Sequence, residues 1–286
     1  MGLHGYLALW CGVFGALALI GYGRSMAGRT RAQRTVTAVG RIERVREPRH
    51  GSSPSDGIPV VVTFHDPDTG EEFTVTDDGE HAGRITTAWT GREIGVRYPR
   101  GRPHAYRLTT DPDGPGRGLG WPNFAVFLVY AGAVVVTAIE RGWPWALFGF
   151  GGPWAVSGAY HLPGNLRRAR RRIDTLESLS TAPGRVVAVL RRVSTDDDGH
   201  TSTTVVPVVS FTTREGVAVT AYCETGLPDP AGSYGRDVTI RYAPDDPAVL
   251  TLDAEAERRG WRWEMVLNVL TLVAVSATAV VGAVLV

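Results

Sequence analysis

The sequence predicts a membrane protein in which α-helical spans alternate with all-β modules. It has four transmembrane helices and two small β-barrel or sandwich modules, arranged as a tandem span–module–span repeat. Three observations carry this. Four stretches are apolar throughout and carry no internal charge, the arginines collect on one side of them, and two polar segments repeat each other. A chain of 286 residues is long enough for two ordinary domains.

The apolar stretches cover residues 5–22, 122–139, 143–160 and 265–286. At 1.5 Å per residue, about 18–22 residues cross a hydrocarbon core of about 30 Å. Tryptophan and tyrosine mark their ends (Tyr22, Trp121, Trp143, Tyr160, Trp261, Trp263), as amphipathic rings do at the headgroup layer. A buried core helix of a soluble protein would be shorter and would show a polar face. The third stretch, "FGFGGPWAVSG", carries four glycines and Pro153 and is expected to be kinked. The first reads as an uncleaved span rather than a signal peptide, because its arginines follow the apolar run instead of preceding it.

Every basic residue other than histidine is an arginine. Fifteen arginines lie between the first two spans and 14 between the last two, while the turn between spans two and three holds only Arg141. Arg24, Arg29, Arg31 and Arg34 follow span one, and Arg258, Arg259 and Arg262 precede span four. "RRARRR" follows span three. The asymmetry places both modules in the cytoplasm of a multi-pass cell-membrane protein. Arg167, Arg168, Arg170, Arg171 and Arg172 are candidate contacts for lipid headgroups, worth about 1 kcal/mol each near an anionic surface, as well as plain topology determinants.

The modules cover 35–110 and 181–253. "GRIERV" at Gly40 returns as "GRVVAV" at Gly184, an offset of 144, and "IPVVVTF" returns as "VPVVSF". "GREIGVRYPRGRPHA" (91–105) returns as "GRDVTIRYAPDDPAV" (235–249), and shifting span two by 144 lands it on span four. Each module, at roughly 75 residues, reads as five short strands broken by Gly, Pro and Asp. In the closing strand Val238, Ile240 and Tyr242 share one face and Asp237 and Arg241 the other; Ile94, Val96 and Tyr98 repeat this against Glu93 and Arg97. The second module, 178–256, is expected to fold alone. Its Tyr242 should be buried and its Arg241 exposed. Polar insertions at 47–57 and 193–203 read as mobile loops. Because a strand does not require an arginine at Arg97 or Arg241, the face they share with Glu93 and Asp237 is the candidate interaction surface, against the plainer alternative of a cross-strand ion pair.

"VPVVSFTTREG" (206–216) and "YGRDVTIRYAPDDPAVL" (234–250) resemble the domain-of-unknown-function family 3592, common in bacterial membrane proteins of actinomycete type. The first copy resembles it more loosely, because Pro99 directly follows Tyr98. The resemblance implies a membrane-attached β-module and brings no catalytic or binding residues.

No cofactor or metal set is expected. Cys11 and Cys223 lie in different environments without a CxxC spacing. "FHDPDTGEE" and "TDDDGH" read as Asp–Gly turns rather than metal loops. No Walker, GxSxG or dinucleotide motif occurs, so no enzyme is expected. The formal net charge of +1 gives no field for nucleic acid. Within the spans, Asn123 and Asn268 lie near the cytoplasmic ends, facing headgroups or partner helices. The expected partners are the bilayer, an unidentified protein and a second copy of the chain. Paired cytoplasmic modules acting as an interaction or sensing platform is the leading reading. A transporter or channel component is the first alternative, weakened by the lack of intramembrane charge. A membrane-bound enzyme is the second.

Overall fold

A computed structural model describes residues 2–28, 35–77, 84–109, 119–196, 201–223 and 225–286. The chain divides into a helical unit (Met1–Arg34, Gly116–Ile173 and Arg259–Val286) and a β unit (Thr35–Pro115 and Asp174–Arg258).

The helical unit is built from α1 (Leu3–Met26), α2 (Gly120–Arg141), α3 (Pro144–Glu177) and α4 (Ala254–Leu285). Three of these, α1, α2 and α4, are long and apolar enough to cross a membrane, and almost none of the apolar run of α1 or α4 is buried in the protein. Leucine, valine and isoleucine facing outward over this length suit acyl chains and not water. The expected third span, 143–160, does not reach that level. It is helical, but glycine, Pro144, Pro153, Trp145 and Trp154 occupy positions where the others carry leucine and valine, and α3 then runs on into the arginines.

Small residues set the helix contacts. A Cβ on Gly132 of α2 would stand 2.7 Å from the Trp10 ring of α1, whose Nε1 donates to the Leu128 carbonyl at 2.8 Å. Tyr22 of α1 donates to Asn123 of α2 at 2.6 Å, so Asn123 serves a partner helix. Gly142 (φ +107°) ends α2 and turns the chain into α3.

In the β unit, β1 (Thr35–Val45), β2 (Val60–His65), β3 (Glu72–Asp77), β5 (Glu93–Pro99) and β6 (Arg107–Thr109) form an antiparallel sheet in the order β3-β2-β1-β5-β6. It curls into a nearly closed barrel: Tyr106, next to edge strand β6, donates to the Thr76 carbonyl on the opposite edge, β3, at 2.8 Å. Gly40 of β1 faces the interior, where a Cβ would stand 2.6 Å from Val62 and 2.8 Å from Val96; only glycine lets the strands close there. A bulge between Ile42 and Arg44 adds twist to β1.

The second sheet takes β7 (Ser180–Thr195), β8 (Thr201–Thr212), β9 (Ala218–Tyr222), β10 (Asp237–Ala243) and β11 (Asp246–Thr251). Its order is β11-β10-β7-β8-β9-β4, and the sixth strand, β4 (Thr87–Trp89), comes from the first polar segment. Ala88, fully buried, pairs with Thr220. β7 is bulged between Val186 and Ala188.

Each face of this sheet contributes side chains to a core. Val186, Val209, Phe211, Val219, Ile240 and Tyr242 form one core. On the other face Ala188, Leu190, Val206, Val208 and Tyr222 join Ile42, Ile58, Phe64, Val96, Tyr98 and Leu108 of the barrel in a second core. The two polar segments therefore share a core and a sheet. That bears on the expectation that 178–256 folds alone: each large side chain of the shared core is worth about 1.5–3 kcal/mol of burial.

Candidate interaction surfaces

The closing strands behave as their alternation predicts. Ile94, Val96 and Tyr98 are buried on β5, as are Ile240 and Tyr242 on β10, and Val238 is half-buried. Each tyrosine reaches a hairpin turn of its own sheet. Tyr98 donates to Asp66 Oδ1 at 3.0 Å, and the Tyr242 hydroxyl accepts the Arg214 N–H at 2.9 Å. In the first turn Asp66 also accepts from the Asp68 N–H (2.9 Å) and the Thr69 hydroxyl (3.2 Å), and Gly70 (φ +72°) closes it. "FHDPDTG" is thus a turn knotted by its own carboxylate.

The hydrogen bond from Asp68 holds the Asp66 carboxyl below its ordinary 3.8, against the opposing push of burial. Burial, with Asp66 as acceptor, raises the Tyr98 hydroxyl to about 12. Because the folded Asp66 value is depressed, its contribution to stability is complete above the unfolded value of 3.8 and is lost as pH falls through the folded value. Asp66→Asn is expected to lower the melting temperature at neutral pH and to flatten its decline between about pH 5 and pH 2. Parallel acid declines in both proteins would remove Asp66 from this role.

The four candidate surface residues lie on two sheets, two on each. Glu93 (exposed) and Arg97 (half-buried) sit on the outer face of β5, with Glu93 across from Arg41 and Arg97 across from Thr37 and Arg107. Asp237 and Arg241, both exposed, sit on the outer face of β10, with Asp237 across from Arg185 and Arg241 across from Thr181 and Thr251.

Asp237 belongs to an open groove of about 440 Å³ across β10, β7 and β8. Arg185, Val187, Ser210 and Thr212 line it as well. Arg185 is held in place by its Nε, which donates to the Gly235 carbonyl at 3.1 Å. The groove offers a fixed guanidinium, a carboxylate and two hydroxyls beside an apolar strip, and its lining contains no histidine or cysteine. Such a lining can accept and donate hydrogen bonds and pair charges with a ligand laid across the strands. Sequence reading missed Arg185, Ser210 and Thr212, although the recurring Gly–Arg of "GRIERV" and "GRVVAV" marks the first of them.

Neither polar insertion is a free loop over its described length. The first docks on the outer edge of β7. Gly51 donates to the Val189 carbonyl, Arg191 donates to the Ser52 carbonyl, and His50 Nδ1 accepts the Val189 N–H at 3.1 Å while its ring stacks on Tyr234. Ser53 and Asp56 then form a capping box around a single 3₁₀ turn, Pro54–Asp56. The ends of the second insertion extend β7 and β8 as a ribbon to Thr195 and Thr201, and its 197–200 portion lies outside the described residues.

Arg167, Arg168, Arg170 and Arg171 are exposed on α3, and Arg172 is half-buried. They continue one helix directly from its apolar half, so a guanidinium there stands next to the end of the apolar surface.

No family model matches the chain, and neither a curated protein nor a solved structure matches it.

Proposed function

We propose that the protein is a multi-pass membrane protein whose single cytoplasmic β unit serves as an interaction or sensing platform. The observation that carries this reading is β4. A strand made before α2 completes the sheet made after α3, so both polar segments belong on one side of the bilayer. If α2 crosses the membrane, α3 must cross back. The shared sheet thus supports the reading of four spans, with α3 as the least apolar of them. Glycine contacts support α3 running beside α4: a Cβ on Gly151 would stand 3.1 Å from Ala279, and one on Gly282 would stand 2.6 Å from the backbone of Phe148.

The tandem span–module–span organisation is part of the same reading. It is supported by the common strand order, β3-β2-β1-β5-β6 beside β9-β8-β7-β10-β11. Further support comes from the bulges at Ile42/Arg44 and Val186/Ala188, and from the clamping tyrosines Tyr98 and Tyr242, which lie at the same 144-residue offset. The resemblance to family 3592 belongs with it, resting on the same strand phrases. The arginines that flank the spans support a cytoplasmic β unit with Arg167–Arg172 near the headgroups.

A reporter active only outside the membrane is expected to be silent when fused at Gly51 or Gly216 and active at Gly142 and after Val286. Activity at Gly51 would overturn the cytoplasmic assignment. For the platform itself, a photo-crosslinking residue at Thr212 is expected to capture a specific protein in vivo, and Arg185→Ala or Asp237→Ala should abolish that product. A product insensitive to both would disqualify the groove.

A further inference from the structure

The segment before β10 covers the outer edge of β7 only as far as Val186, whose N–H and carbonyl bond to Arg236 and Gly235. From Val189 onward that edge is covered instead by the insertion between β1 and β2, at three points. Gly51 donates to the Val189 carbonyl at 2.9 Å, and Arg191 donates to the Ser52 carbonyl at 3.0 Å. Between them the Val189 N–H goes to His50 Nδ1 at 3.1 Å. Two of these bonds are ordinary amide-to-carbonyl bonds. In the third, an imidazole nitrogen stands where a neighbouring strand would present a carbonyl. Gly51 (φ +83°) and the bond from the Ser52 N–H to the Arg49 carbonyl turn the backbone here, and the ring supplies the acceptor. His50 is exposed, and its ring stacks on Tyr234 with centroids 4.3 Å apart. The insertion is also pinned away from His50: Arg46 donates to the Pro59 carbonyl at 2.9 Å, and the Tyr222 hydroxyl donates to the Pro54 carbonyl at 3.1 Å.

A neutral imidazole has one N–H and one lone pair, whereas the imidazolium has two N–H groups and no acceptor. Nδ1 can therefore accept from Val189 only in the neutral form, with the proton on Nε2. A second proton points N–H at N–H, breaks the bond and puts a positive charge on the contact. The ionisable groups that the neighbouring segments carry are Arg191 on β7, Asp229, Tyr234 and Arg236 before β10, and Glu47, Arg49 and Asp56 on the insertion itself. Asp56 accepts from the Ser53 N–H and Asp229 from the Gly232 N–H, both at 3.2 Å, while Arg191 donates to the Ala231 carbonyl at 3.3 Å. Among the described residues no carboxylate is paired with His50, so none is in place to favour its charged form. We propose that His50–Ser52 is a proton-operated latch. Neutral His50 holds it on β7; protonated His50 releases it and bares the ladder groups of Val189 and Arg191. The latch lies within the β unit and holds on whichever side of the membrane that unit stands.

The test is amide hydrogen exchange of the full chain in detergent, corrected for the intrinsic dependence of exchange on pH. Protection of Val189 and Arg191 is expected to fall about tenfold between about pH 8 and about pH 5.5, the span in which an imidazole ordinarily gains its proton. Val62 and Val96 in the barrel should keep theirs. His50→Asn puts a carboxamide oxygen near the place of Nδ1 with nothing to titrate, and should hold both edge amides protected at either pH. His50→Leu keeps bulk without an acceptor, and should leave them poorly protected throughout. Protection in the unaltered protein that does not change with pH overturns the latch. So does a His50→Asn variant that loses protection in acid as the unaltered protein does, because another group is then titrating. A fall shared by Val62 and Val96 would mean that the whole β unit opens in acid, and overturns it equally.

Discussion

Tyr242→Ala should strongly destabilise the β unit, while Arg241→Ala leaves its melting nearly unchanged. The two residues are neighbours on β10, but their side chains point to opposite faces. Tyr242 is fully buried, its ring centroid is 5.3 Å from that of Phe211, and its hydroxyl accepts the Arg214 N–H. Truncation removes the buried ring and orphans a backbone donor in the β8–β9 turn. Large aromatic truncations of this kind cost about 3–5 kcal/mol, against a total stability of about 5–15 kcal/mol for an ordinary domain. Arg241 is exposed and lies across from Thr181 and Thr251, neither of which offers it a charge, so its removal should stay within about 0.5 kcal/mol. Thermal melts of the full chain in detergent decide the matter, and equal losses would mean that β10 is inverted. Tyr242→Phe separates the two contributions: it keeps the ring, loses the hydroxyl, and should cost about 1–3 kcal/mol for the unsatisfied Arg214 N–H.

Residues 178–256 expressed alone should not give a cooperative melt. Taken from the chain, they lose β4 from the edge of the sheet and expose Ala188, Leu190, Val206, Val208 and Tyr222 to water. They also lose the strap at Gly51 and Ser52 that completes the outer edge of β7, and the Pro54 carbonyl that accepts from the Tyr222 hydroxyl. The three large side chains Leu190, Val206 and Val208 alone forfeit about 5–9 kcal/mol of burial, which exceeds what roughly 75 residues hold in reserve. Circular dichroism of the fragment, with and without residues 35–109 added in trans, measures this. A sharp melt of the fragment alone would show that its remaining core suffices.

Period-two alternation made the buried side of β10 and β5 legible, because one face meets a core and the other meets water. The same reading had no purchase on β4. Three residues, "TAW", carry no alternation, and their partner, β9, lies 130 residues further on. Hydropathy separates α3 from the other three helices for a different reason. The scale counts glycine, proline and tryptophan as indifferent, whereas in α3 the glycines bring Val134, Ala279 and Leu272 close. The insertion 47–57 looked like a free loop because its composition is polar, but its backbone groups pair with β7. Asp237 was legible as an exposed position on a strand. Its neighbours in the groove, Ser210 and Thr212, come from a strand whose register only the paired sheet specifies.

A strand lent across two membrane helices also orders events during synthesis. Residues 35–109 leave the ribosome first, yet Ile42, Ile58 and Tyr98 acquire part of their cover only when Leu190 and Val208 arrive. On the topology proposed above, the α2–α3 hairpin must enter the bilayer between those moments and return to the side it left. A hairpin inserted with the wrong parity would strand the two halves of the sheet on opposite sides, leaving the edges of β4 and β9 bare and the first segment without its lid. On that topology correct insertion and correct folding are one event, and a mis-threaded chain exposes the strand edges that β4 and β9 otherwise cover in each other.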